Sequence, residues 1–149
     1  MLVRIIIVCI ISFAAVYPQK VDERLLLVEA QKLITYMESF DQMANNYSNV
    51  FIVSHITNIA QSVSRSMNIL INVYHLIHIH NIIQGVEDKQ IVGIYVYQQL
   101  PKLSRLLKIE RKITNGMLSS VNTKEIKDIT TLYISSLNYI ITTLDTSVE

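Results

Sequence analysis

Three histidines, His75, His78 and His80, stand close together in a segment without cysteine. On a helix, side chains three residues apart share a face, so His75 and His78 would converge. His80 would fall about 160° from His78 at about 100° per residue. Two imidazoles leave a zinc-type site two ligands short. The nearest carboxylates, Glu87 and Asp88, lie beyond Gly85, where glycine is expected to cap the helix end. No metal ligand set is assigned, and the histidines are read as surface or interface groups.

Other catalytic patterns are missing as well. Serine and threonine are frequent, yet none sits in a Gly-x-Ser-x-Gly turn. The three glycines, Gly85, Gly93 and Gly116, are too few and too scattered for a loop that cradles phosphate or a dinucleotide. No pair of carboxylates is singled out by spacing. These readings give no catalytic residue and no cofactor, and a non-enzymatic function is expected.

Two surfaces have the composition of contact sites. Lys102, Arg105, Lys108, Arg111 and Lys112 form the most basic segment, with Glu110 its only acid. Steps of three precess around a helix, so these charges spread over about half the circumference and form a diffuse candidate contact for an anionic partner. The second surface is a row of neutral polar side chains at helical spacing: Ser54, Asn58, Gln61, Arg65, Asn68, Asn72 and His75. Solvated helix faces usually carry Lys and Glu. A row of amides with one charge is therefore the candidate surface for a protein partner. Asn46-Tyr47-Ser48 matches the N-glycosylation acceptor and falls where a turn is expected.

Four helical seams would position these groups. Leu26, Ala30, Leu33, Met37, Phe40, Ala44 and Tyr47 alternate steps of four and three, as do Ile56, Ala60, Val63, Met67, Leu70, Tyr74 and Ile77. The expected helices run over about 22–46, 51–84, 88–114 and 123–145. Asp22 would cap the first, and Asn122 with Glu125 would form a reciprocal capping box on the last. The run 91–97 is rich in strand formers and is read as helix from its surroundings. Pro101 would kink or break the third helix, whose apolar side is taken as Leu103, Leu106, Leu107 and Ile113, with Asn115-Gly116 ending it. Ile126, Ile129, Tyr133, Leu137, Ile140 and Leu144 line the fourth. The fold class expected is all-α: an elongated antiparallel bundle of about four long helices.

Met1 to Arg4 precedes an apolar run from Ile5 to Val16, with small residues before a cleavage point after Ala14. That is the pattern of a secretory signal peptide, residues 1–14, and the run is too short for a membrane span. Its loss would remove Arg4 and the single cysteine, Cys9, leaving twelve basic against twelve acidic side chains in one domain, 15–149. Zero net charge disfavours nucleic acid as a partner. From Ser66 to Val86 there is no Asp, Glu, Lys or Arg, but Ser66, Asn68, Asn72, Asn81, Gln84 and the three histidines make a second membrane reading unfavourable. The expectation is a secreted helical protein that binds an extracellular protein. The alternative is a carrier holding an apolar ligand or lipid among Met37, Met43, Met67 and the tyrosines.

Overall fold

In the computed structural model, residues 21–147 are described. The expected signal sequence, its cleavage point after Ala14 and Cys9 lie outside the described residues. Four helices follow one another: α1 (Glu23–Asn46), α2 (Val50–Ile82), α3 (Val86–Leu118) and α4 (Lys124–Thr146). The strand-forming run 91–97 is helix, inside α3.

The first two starts have a local cause. Asp22 accepts the Arg24 amide at 2.9 Å, and Asn49 accepts the amides of Phe51 and Ile52 at 2.9 and 3.4 Å, satisfying donors that a first turn leaves unpaired. Short connections make consecutive helices antiparallel neighbours. Thus Glu23 at the start of α1 meets His78 and Asn81 at the end of α2, and Arg111 of α3 meets Asn138 of α4. α1 and α4 close the ring, and the shorter diagonal joins α2 to α4.

The seams meet in the interior. Leu33, Phe40, Ile56, Val63, Leu107, Tyr133, Leu137 and Leu144 have no accessible surface. Ala30, Met37, Ala44, Met67 and Tyr74 pack against this core from its margins.

Several local expectations are corrected. Of the kink or break expected at Pro101, the break is absent, and α3 does not end at Asn115-Gly116. Pro101 is exposed while Leu100 and Ser104 beside it are buried, and buried Thr114 and core-packed Met117 carry the helix past Gly116. Packing thereby outweighs local breaking signals. Gly85 does not cap α2. With φ −66° it stands as the N-cap of α3, where a Cβ would lie 2.9 Å from an Asp88 carboxylate oxygen. The capping box is absent too: Thr123 occupies the N-cap, with no side-chain bond, because buried Val121 fixes the entering chain one residue later than Asn122 requires. On α3, Leu107 is buried and Leu103 packs on the core, but Leu106 and Ile113 point outward.

Candidate functional site

The amide row of α2 emerges complete on the outside of the bundle. Ser54, Asn58, Gln61, Arg65, Asn68, Asn72 and His75 are all exposed. The amides of Asn58, Gln61, Asn68 and Asn72 bond to no other described residue. They present both donors and acceptors to solvent.

One charge in that row is engaged. Arg65 grips Glu110 of α3 with two parallel bonds, Nε to Oε1 at 2.7 Å and Nη2 to Oε2 at 3.0 Å. The single charge of the amide row thus pairs with the single acid of the basic segment. This pair also aligns the two helix surfaces. Gln61 and Asn68 flank Arg65 at four before and three after, and Leu106 and Ile113 flank Glu110 in the same way. Leu106, Ile109 and Ile113, each 43–47% exposed, therefore run beside the amides on one flank of the bundle. The Leu and Ile row was hidden in the sequence because its spacing fits a core seam equally well.

Behind the pair lies a buried polar layer that the sequence did not reveal. Ser62 Oγ donates to Glu110 Oε2 at 2.8 Å and lies 2.9 Å from Thr114 Oγ1 and 3.2 Å from the Tyr133 hydroxyl, which is 2.7 Å from Ser66 Oγ. Burial pushes the Tyr133 hydroxyl above the ordinary tyrosine range, against hydrogen bonds from Ser62 and Ser66. A second buried carboxylate, Glu29 of α1, accepts from Ser136 of α4 and from Lys32. Small hydroxyl residues on core-facing positions are the sequence signal for such a layer.

The basic segment divides. Lys108 Nζ lies 2.7 Å from Asp145 Oδ2, and Arg111 donates to Asn138 Oδ1 at 2.7 Å, so both are tied to α4. Lys102, Arg105 and Lys112 are exposed and make no ion pair with described residues. Burial opposes ionisation of Asp145, yet hydrogen bonds from Lys108 and Ser104 hold its carboxyl below the ordinary value.

The histidines do not assemble. His78 stacks on Tyr74 with centroids 5.5 Å apart and its Nδ1 lies 3.0 Å from Glu23, while His75 meets the Tyr74 edge. His80 turns toward α3, its Nε2 buried without a hydrogen-bond partner, and a Cβ on Gly93 would stand 3.3 Å from that nitrogen. Burial, reinforced by Lys89, lowers the His80 pKa. Among the described residues no group of three or more metal-ligating side chains converges. No described helix is long and apolar enough to cross a membrane. Asn46, the glycosylation candidate, is the exposed last residue of α1. Met43 is buried and Met37 and Met67 pack on the core. Comparison with protein-family models, with characterised proteins and with solved structures finds no match to this chain.

Proposed function

We propose that the protein is secreted and acts by binding another extracellular protein through the flank shared by α2 and α3. The observation that carries this reading is the juxtaposition of unengaged amides on α2 with exposed Leu106, Ile109 and Ile113 on α3, locked side by side by Arg65 and Glu110. Interface centres are depleted of charge and combine apolar contact with a limited number of hydrogen bonds, and arginine is enriched there. This flank has that mixture, whereas a purely solvated helix face is dominated by Lys and Glu.

The test uses the protein recovered from the extracellular medium with whatever associates with it. Replacing Asn68 and Asn72 by Glu, or Ile109 by Asp, is expected to abolish that association while the melting temperature stays within a few degrees of the parent. Association that survives both changes rejects the flank as the binding surface. N-terminal sequencing of the same material should begin near Ala15. An intact Met1 on a membrane-bound product rejects secretion.

A further inference from the structure

α2 and α3 are each 33 residues long, against 24 for α1 and 23 for α4. The last turn of α4 meets α3 at Ser104 and Lys108, through Asp145. The stretch of α3 from Val86 to about Pro101 therefore extends beyond the end of α4, about 24 Å at 1.5 Å per residue. Its surface there is mixed: Val86, Ile91, Ile94 and Tyr95 are exposed beside Glu87, Asp88, Gln90 and Gln98, and Ile79 and Ile82 are exposed at the end of α2.

One stripe on this overhang has a symmetry of its own. Asp88, Ile91, Tyr95, Gln98 and Lys102 follow at steps of three, four, three and four, the spacing of a helix-pairing seam. Asp88 and Lys102 lie seven residues on either side of Tyr95. Both are exposed, and neither forms an ion pair with a described residue. A surface with an acid at one end, a base at the other and uncharged Ile91, Tyr95 and Gln98 between them is complementary in charge to its own antiparallel copy. A partner bearing charge of one sign would satisfy only one end.

We infer that the overhang of α3 pairs antiparallel with the same stretch of a second copy of this chain, across a two-fold axis at Tyr95. Each Asp88 then faces the partner's Lys102, and the two tyrosine rings meet at the axis in an isologous contact. A stable interface takes about 800 Å² from each partner. A helix face 24 Å long and about 10 Å wide falls short of that, and Ile79 and Ile82 beside it enlarge the contact without making it extensive. The dimer is accordingly a weak and reversible one. This contact continues the α3 face of Leu106, Ile109 and Ile113 toward the α2–α3 turn, with Lys102 one turn before Leu106, so it abuts the flank read above as the partner surface without resting on that reading.

Sedimentation velocity of the purified protein from about 1 to about 100 µM tests it. Dimer is expected to accumulate with concentration. Asp88→Lys and Lys102→Asp should each weaken it about tenfold, and the double reversal should bring it back to near the parent value. Because Asp88 also sits in the first turn of α3, a second readout guards against fraying. With Cys9 replaced by Ser, Tyr95→Cys should form a disulfide-linked dimer under mild oxidation, and Gln90→Cys, about 140° around the helix, should not. A monomer at every concentration overturns the proposal, whether the overhang is then open, covered by residues 1–20 or taken by another protein. So does a dimer indifferent to the reversals, or one that the double reversal fails to restore while Tyr95→Cys leaves it unlinked.

Discussion

Arg65 is the residue on which the outer flank and the interior meet, since its guanidinium is half in solvent while the Glu110 carboxylate beneath it is nearly enclosed. Removing one partner of a buried pair costs about 3–5 kcal/mol when both are enclosed, because the remaining charge is stranded. Here the arginine side chain is 48% exposed, and solvent screening reduces that figure. Arg65→Met is expected to lower stability by about 1–3 kcal/mol. Glu110→Gln should cost less, because the amide oxygen still accepts from Ser62 and the charge left without its partner, on Arg65, is half in solvent. In the double variant the two losses should not add, which thermal melts of the three variants would register as a coupling energy. The ring of His80, half-buried with its Nε2 enclosed, supplies a pH dependence of definite sign. Its pKa is depressed by burial and by Lys89, with an opposing hydrogen bond from Asn81, so the folded state resists protonation that the unfolded chain accepts. The stability it contributes is present above the ordinary value of about 6.5 and is lost as pH falls through the lower folded value. His80→Gln should therefore shrink the drop in melting temperature between about pH 7.5 and about pH 5.5. An unchanged drop would place the pH dependence elsewhere.

Helix α3 shows how packing selects among local signals. Pro101 donates no amide hydrogen to the Tyr97 carbonyl, a defect costing up to about 3 kcal/mol in a helix interior, yet the helix continues because Leu100, Ser104 and Leu107 are held in the core. Nothing in the described contacts requires the exposed ring. Pro101→Ala should therefore raise stability by about 1–3 kcal/mol and the melting temperature by several degrees, as calorimetry would record. The reach of sequence reasoning follows from the same physics. The seams of α1, α2 and α4 were legible because alternating steps of three and four place Leu33, Val63 and Leu137 on a single buried line. Helix ends were less legible: Gly85, Asn122 and Gly116 carry real local preferences, but those are worth about 1 kcal/mol each and burial of Val121 or Met117 overrides them. The α2 amide row was legible as a face. Its neighbour on α3 was not, because Leu106 and Ile113 sit at spacings that also suit a core, and only the position of α2 decides which side of α3 is enclosed. The Arg65 to Glu110 pair spans 45 residues and was invisible to any local window.

At the scale of the molecule, the bundle turns its apolar seams inward and its candidate contact face outward, joined through the polar layer at Arg65 and Glu110, so mutations in the seam and on the amides away from Arg65 should separate in effect. Leu33 has no accessible surface and lies among the packed faces of the core. Leu33→Asp would bury an unpaired carboxylate there, at a cost of several kcal/mol against a total stability of about 5–15 kcal/mol, and it should abolish the helical circular dichroism of the domain. Asn68 and Asn72 project from the opposite side of α2, with side-chain amides that bond to no other described residue. Changing both to Glu adds two solvated charges, and such surface changes ordinarily alter stability by less than about half a kcal/mol each. The expected pair of results is an unfolded Leu33→Asp chain and an Asn68→Glu, Asn72→Glu chain that melts with the parent. If instead the double variant melts well below the parent, the amide row is sustaining the fold, and its loss of association could no longer be assigned to a partner surface. If Leu33→Asp stays helical and melts cooperatively near the parent, the seam of α1 is open to water, and the division of the bundle into core and contact sectors fails with it.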